Sequence, residues 1–405
     1  MTASRRKALF LAHRLPYPPD KGDKMRSFRE LRALAEDHDV TLGCFLDDPD
    51  DARHLPAVEE MCSEMIAVPL RAGPARARAL LALLSPRPLS LAYYRSRELR
   101  RRLLGRPAFD VVVAFSSTMA PFADACQARR RVLDLCDLDS EKWALFADAS
   151  RFPRSFVYRL EASRLGRFEA KCCRRFDSVV LVSAAEACAL RARAPDGPIH
   201  VVPNGIDLEY YDPARVEARG DGKTAVFCGA MDYRSNVDAV VRYATAIHPR
   251  VRRRVPDARF KVVGSRPAPE VLALATIEGV SVTGRVPDVR PELLSCAVSV
   301  APLRLGRGVP NKVLEALALG LPVVTTSNGA AGIELARFPG ASVADEPERF
   351  ADEVVRFLEA ARAGRDRYPQ HRSELSRLYC WDAFTASIRS LAGATGPSAV
   401  VGGSR

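Results

Sequence analysis

The chain has 405 residues, more than one hydrophobic core usually supports, so two domains of roughly 200 residues each are expected. Its hydrophobic content of 47% is ordinary for a soluble globular protein, and no apolar run approaches the roughly 20 residues needed to cross a bilayer. The net charge of +12 is uneven: residues 71–106 carry ten arginines and one acid, Glu98, and residues 151–175 carry eight basic side chains against Glu161 and Glu169.

In both basic segments Leu, Phe and Tyr are interleaved with the charge. The pattern fits helices that rest peripherally on anionic lipid, and equally a solvated arginine-rich surface. No nucleic-acid motif accompanies it, so no nucleic-acid partner is expected. The ten cysteines show no C-x-x-C pair and no metal-ligand spacing, and the adjacent Cys172 and Cys173 are too close for an ordinary structural bridge. Free thiols in a reducing cytoplasm are the expectation. The six histidines are scattered, and H-E-x-x-H, G-x-S-x-G and Walker motifs are lacking, which removes the usual support for hydrolase and NTPase readings.

The first apolar run, 8–12, is too short for a signal-peptide core and reads as a strand, so a cytoplasmic chain is expected. The loop after it runs from His13 to Asp23, where a helix is predicted to begin. Gly22 lets a ligand approach backbone N–H groups there, and Gly22 with Lys24 are the candidate residues of this junction loop. The loop is no G-x-G-x-x-G fingerprint, which weakens a dinucleotide-dehydrogenase reading.

Further strands are predicted at 40–45, 66–70, 111–115 and 132–135. The last runs into Asp134, Asp137 and Asp139, three carboxylates whose uncompensated burial would be costly. Asp137 and Asp139 admit a D-x-D reading, with Mn or Mg held for a nucleotide diphosphate. The favoured reading uses a single carboxylate, Asp137, beside a reacting carbon or accepting a hydrogen bond from an acceptor hydroxyl. Asp139 or Ser140 then serves as a helix cap.

Strands at 179–183 and 200–202 complete the first half, and Asn204-Gly205 follows as a turn. The second half repeats the rhythm with strands at 225–228, 260–263, 280–283, 297–301, 323–326 and 341–344. Runs that are apolar without alternation fit parallel strands covered on both faces. The expected class is α/β, with two doubly wound Rossmann-like domains facing across a cleft. Residues 1–205 form the first, 206–222 a polar hinge with glycines, and 223–380 the second. A helix at 381–392 packs back on the first domain, and the tail 393–405 lacks the apolar content to order it.

Ligands of open α/β sheets bind beyond the carboxyl ends of the strands. The richest such place is Gly306-Arg307-Gly308-Val309-Pro310-Asn311-Lys312-Val313-Leu314-Glu315-Ala316. Pro310 suits a first helical turn, whose free N–H groups make, with Arg307 and Lys312, a site for an anion, most simply a diphosphate. Glu315, one turn deeper, is placed to accept hydrogen bonds from sugar hydroxyls. Gly229 joins a strand to a helix with Arg234 available for phosphate, and at Gly284 a flat base can lie on the backbone. Gly308 and Asn311 complete the candidate donor-binding set. The cations suffice for a diphosphate, so no metal or other cofactor is expected.

These strings together resemble the GT-B glycosyltransferases of the retaining family 4 group over roughly residues 7–390. They are the Gly22 loop, Val202-Pro203-Asn204-Gly205-Ile206-Asp207, the Gly229 turn, Val282-Thr283-Gly284, and Asn311 to Ala316 with Pro322-Val323-Val324. Asp134 to Trp143 further resembles sugar transferases linked to exosortase and exopolysaccharide clusters. The resemblance implies a nucleotide-sugar donor on the C-terminal domain and a glycan or polyprenyl-linked acceptor on the N-terminal one. It also implies that Glu315 binds the donor ribose, that the helix opening at Pro310 binds the diphosphate, and that the sugar is transferred with retention. Arg307, Lys312 and Asp137 are then the candidate catalytic residues.

The chain departs from that pattern in three places. Arg307 stands where the family often has the first glutamate of Glu-x7-Glu, so the donor sugar cannot be carried over. The family's Arg…Lys pair maps near Ala230 and Asn236, leaving Arg234, Arg307 and Lys312 to supply the charge. Cys136-Asp137 replaces His-Asp. A nucleotide-sugar 2-epimerase of the same fold and a non-catalytic, membrane-associated nucleotide-sugar binder are the competing readings.

Overall fold

The computed structural model describes residues 5–218, 220–306, 308–365 and 367–393. Thirteen strands form among them, each overlapping one of the apolar runs read from the sequence. In the first sheet these are β1 (Arg6–Ala12), β2 (His38–Leu46), β3 (Glu64–Pro69), β4 (Phe109–Phe115), β5 (Ala128–Cys136), β6 (Ser178–Leu181) and β7 (Ile199–Val201). The second sheet holds β8 (Thr224–Cys228), β9 (Arg259–Val263), β10 (Val280–Val282), β11 (Val298–Ala301), β12 (Val323–Thr325) and β13 (Ala341–Val343).

The sheet orders are β3-β2-β1-β4-β5-β6-β7 and β10-β9-β8-β11-β12-β13, and every pairing is parallel. Both are doubly wound. The strand order reverses between β1 and β4 in one sheet and between β8 and β11 in the other, which is where such sheets offer a crevice. The chain divides accordingly: one unit comprises residues up to Pro203 together with the chain from Trp381, and the other is Asn204–Cys380. Residues 206–222 lie within the second unit, where Ile206 N–H donates to the Tyr379 carbonyl at 2.9 Å. Apart from Gly393, the tail predicted to lack order lies outside the described residues.

The alternation of side chains along β1 explains why this strand reads as continuously apolar. Leu9 and Leu11 enter the core on one face of the sheet, while Ala8, Phe10 and Ala12 enter the core on the other. The second core is closed by the first helix, Gly22–Asp37, and by the last, Trp381–Leu391, whose Phe384 and Ile388 are buried one turn apart. Arg389 of the last helix reaches Asp37 at 2.6 Å and Glu36 at 2.8 Å, which fastens it to the end of the first.

The first helix also buries charge. Arg26 and Glu30, one turn apart, are wholly inaccessible, as is Asp134 on β5. Arg26 Nε donates to Asp134 Oδ2 at 2.7 Å and Nη1 to the Val202 carbonyl at 2.9 Å, and its guanidinium lies 4.9 Å from the Phe384 ring centre. Burial, and next the Asp134 carboxylate, push the Glu30 pKa well above its usual range. One arginine therefore ties the first helix to β5, to the end of β7 and to the last helix. Among the described residues no helix is long and apolar enough to cross a membrane.

Replacing Arg26 with Ala would strand the Asp134 carboxylate in the core. The expected loss of unfolding free energy is about 3–5 kcal/mol, read from denaturant curves. A loss within about 0.5 kcal/mol would show that the pair does not organise this domain.

Candidate functional site

Three glycines end three neighbouring strands of the second sheet: Gly229 after β8, Gly264 after β9 and Gly284 after β10. Gly229 N–H donates to the Val263 carbonyl at 3.0 Å, and Gly264 N–H to the Gly284 carbonyl at 3.1 Å. A Cβ on Gly264 would fall 1.7 Å from the Gly229 carbonyl oxygen, so no other residue fits there. Gly284 has φ +71° with open space beside it, leaving its backbone free to meet a flat ligand.

Above this edge stands the helix Asn311–Ala318. It begins one residue later than expected: Pro310 is its N-cap, in an extended conformation with ψ 107°, and its carbonyl accepts from Val313 N–H at 2.9 Å. Pro310 has no side-chain acceptor for the first turn, which leaves the Asn311 and Lys312 N–H groups to solvent or a ligand. Gly308 takes φ +80° and approaches the chain closely at Gly332, where a Cβ would lie 2.5 Å from the Gly308 carbonyl oxygen. Arg307 lies outside the described residues.

Lys312 crosses from this helix to the glycine edge. Its Nζ donates to Asn236 Oδ1 at 2.9 Å and lies 5.1 Å from the Phe227 ring centre, and its Cε would be 3.3 Å from a Cβ on Gly229. Asn236 in turn donates from Nδ2 to the Ala230 carbonyl at 2.8 Å. Lys312 thus brings its ammonium to Asn236, near which the family resemblance calls for a lysine. Arg234 opens the helix Arg234–Arg242 that carries Asn236. Asn311 Oδ1 accepts from Asn204 Nδ2 at 3.3 Å, so the Asn-Gly turn abuts the start of the Lys312 helix.

Glu315, one turn further, faces the Lys312 charge and a hydrogen bond from Tyr211. Burial raises its pKa against both of these influences. Burial also lowers the pKa of Lys312, with Glu315 acting to raise it, and pushes the Cys228 thiol up to about 12. Beside them Arg290 lies 4.0 Å over the Tyr210 ring and donates from Nη1 to the Tyr210 carbonyl at 2.7 Å.

In the first unit, the Gly22–Asp37 helix starts at Gly22 itself, one residue before the predicted Asp23. Asp23 Oδ2 meets His13 Nε2 at 3.3 Å and Arg14 Nη1 at 3.2 Å, and Arg14 Nη2 meets Asp47 at 3.3 Å. Burial opposes the Asp23 charge, yet the His13 hydrogen bond and the Arg14 cation hold its pKa far below the usual range. Lys24 turns inward, its ammonium 3.3 Å from the buried Asp51 carboxylate. It is therefore engaged in a buried ion pair and does not present its charge at the loop surface.

The aspartate loop is built differently from a simple cap. Cys136 at the end of β5 takes φ +60°, and Ser116 at the end of neighbouring β4 takes φ +80°. Left-handed conformations in non-glycine residues cost energy and gather at functional sites. The helix Asp139–Asp148 has Leu138 as its N-cap, and neither Asp139 nor Ser140 caps it. Its open N–H groups are taken by carboxylates from elsewhere: Leu138 N–H donates to Glu186 at 2.6 Å and Ser140 N–H to Glu169 at 3.2 Å. Asp139 pairs with Lys142. Burial, and next the Glu186 carboxylate, push the pKa of Asp137 up to about 7. Asp137 Oδ1 has no hydrogen-bond partner among the described residues. No group of three or more His, Cys, Asp or Glu among them is placed to hold a metal ion. A groove of about 1050 Å³ runs beside this helix, lined by Ser140, Glu141, Gly166, Lys171 and Arg193.

The structure is similar to sucrose-phosphate synthase from Thermosynechococcus elongatus, at 17% identity and a TM-score of 0.69, covering 96% of this chain and 98% of that one. HepE of Anabaena, solved with UDP and glucose, matches at 14% identity and a TM-score of 0.66, over 96% of this chain and 100% of that one. WaaG, a glycosyltransferase involved in lipopolysaccharide biosynthesis, matches at 16% identity and a TM-score of 0.65, over the same shares of 96% and 100%. These likenesses carry the fold. No curated protein matches the chain. Residues 28–210 match the family model described as Glycosyltransferase Family 4, and residues 222–360 that described as Glycosyl transferases group 1. The chain is a GT-B glycosyltransferase.

In this transferase the structure gathers Gly229, Lys312, Asn311 and Glu315 around the end of β8, with Arg234 on the adjoining helix. Gly284 joins them through Gly264, which the sequence reading passed over. Its signal was legible: Val262-Val263-Gly264 repeats the strand-then-glycine form of Phe227-Cys228-Gly229. Asn236 and Tyr211, the partners of Lys312 and Glu315, carried no such mark. Gly264→Ala is expected to cost about 1–3 kcal/mol or more, because the added methyl meets backbone that cannot move aside. Thermal unfolding unchanged from the parent protein would show that the glycine edge is not closely packed.

Proposed function

We propose that the transferase moves a sugar from a nucleoside-diphosphate donor, bound at the glycine edge of the second domain, to a glycan or polyprenyl-linked acceptor in polysaccharide synthesis. The observation that carries this reading is Lys312 lying over Gly229 at the β8–β11 reversal, with the open first turn of its helix beside it. A diphosphate placed there meets an ammonium and backbone N–H groups together. Relatives of the same fold support the choice of ligand. HepE was solved with UDP-glucose, and a mutant of S. aureus TarM with UDP, alpha-GlcNAc-glycerol and Fondaparinux.

Glu315 accepts hydrogen bonds from the donor ribose in this reading, with Tyr211 and Lys312 fixing its carboxylate. The base lies along Gly284, and Arg234 adds charge for the phosphates. Transfer proceeds with retention and without a metal. The acceptor oxygen bonds to the anomeric carbon on the face the diphosphate leaves, and a diphosphate oxygen takes the acceptor's proton. Lys312 and the helix N–H groups stabilise the charge that builds on the leaving diphosphate, with Arg307 assigned the same task. Asp137 accepts a hydrogen bond from the acceptor hydroxyl, a bond that is strongest when its carboxylate is ionised.

Two outcomes follow from these roles. Lys312→Ala should lower kcat/KM by on the order of 100-fold and abolish the thermal upshift that UDP gives the parent protein. A variant that keeps both would remove the donor site from this helix. Because burial pushes the Asp137 pKa up to about 7, activity should climb as pH rises through about 7, and Asp137→Asn should lose that limb while still binding UDP. An unchanged pH profile in the variant would deny Asp137 its part.

A further inference from the structure

We propose that the first domain docks on an anionic bilayer through two apolar segments held by one helix. This stands independently of the transfer reaction. The helix is Arg154–Cys172. Just before it Phe152 is 81% exposed, and in its first turn Phe156 is more than half exposed. The second segment holds Leu80 and Leu81, each more than half exposed, and Leu84 at 92%. Both belong to the same helix: Arg164 donates from Nη1 to the Ala82 carbonyl at 3.0 Å and from Nη2 to the Leu83 carbonyl at 3.1 Å. Glu161, buried one turn earlier, accepts from the Leu89 and Ser90 N–H groups. The protruding leucines are thus fixed by backbone hydrogen bonds and do not fold inward.

The charge around them chooses the occupant. Residues 71–97 and 149–160 contain no Asp or Glu. Arg71, Arg76, Arg87, Arg151 and Arg154 are exposed, and among the described residues none of them has a carboxylate within ion-pair distance. A second copy of the chain would bring these unpaired arginines against each other, which like charges disfavour. An anionic bilayer meets both features at once: phosphate headgroups pair with the guanidinium groups while Leu and Phe enter the acyl boundary. Leucines and phenylalanines grouped on a surface rich in arginine have the composition of an interfacial segment, with apolar side chains for the acyl boundary and cations for the headgroups.

The test is flotation of the full chain with vesicles of neutral phosphatidylcholine, or of the same lipid mixed with anionic phosphatidylglycerol. The parent protein should float with the mixed vesicles alone and lose most of that binding in high salt. Leu84→Asp with Phe152→Asp should lower the partition by at least about tenfold, because both apolar contacts are replaced by charge that anionic lipid repels. The melting curve and the UDP-induced upshift of that double variant, whose substitutions are on exposed positions away from the glycine edge, should match the parent. Equal flotation with neutral vesicles, no flotation at all, or a double variant that floats like the parent would overturn the proposal. So would light scattering that shows the parent dimeric and the double variant monomeric, since the face would then bind a second copy.

Discussion

A wholly parallel sheet covered on both faces leaves its ligand only one kind of place. Every connection must cross a face and return, so the faces fill with helices and the strand ends carry the loops. Within either sheet the point where neighbouring crossovers part is the point where the carboxyl edge stays open. The two edges of this transferase have been finished with different chemistry. The second sheet ends in glycines packed backbone to backbone, under an ammonium. The first ends in strained, non-glycine residues beside carboxylates that burial keeps from ionising freely.

That contrast follows from how each domain accommodates charge. In the second, Lys312 and Glu315 are neighbours whose charged forms burial disfavours, each sustained by the other and by one neutral partner, Asn236 or Tyr211. In the first, Arg26 pairs with Asp134, and Asp23, Asp51 and Asp139 each have a cation of their own. Glu186 and Glu169 are consumed in closing the start of the Asp139–Asp148 helix, work normally done by a side chain at the helix's own N-cap. With Lys142 turned to Asp139, Asp137 has the Glu186 carboxylate as its strongest charged influence, which explains a pKa well above that of an ordinary aspartate.

The fold was largely legible because burial on both faces writes itself as unbroken apolar runs, and each run became a strand. The candidate site was legible where local chemistry has a local sign, as in glycine after a strand or proline before a helix. It was not legible where a partner comes from afar. Asp134 looked like a carboxylate in need of compensation, but nothing in the sequence points to Arg26, 108 positions earlier. Lys24 sits beside a loop glycine as a ligand-binding lysine would, and only the folded chain brings Asp51 to claim it. Asp139 and Ser140 have the composition of helix caps, yet better acceptors arrive from other helices.

The displacement of charge in the second domain has a further consequence. Near the position where the resembled family places a lysine after the glycine, this chain has Asn236, a residue that can only orient and not neutralise. Its Oδ1 takes one ammonium hydrogen of Lys312 and leaves two others to point elsewhere. The cation therefore reaches the glycine edge from the opposite side, from the same helix whose first turn carries the open N–H groups. Charge and dipole are then delivered by a single rigid element, so their spacing is set by helix geometry and not by the mutual placement of two loops. Burial adds to the effect: an ammonium kept partly from water is stabilised more by an arriving diphosphate than a solvated one would be, since less hydration is surrendered when the pair forms.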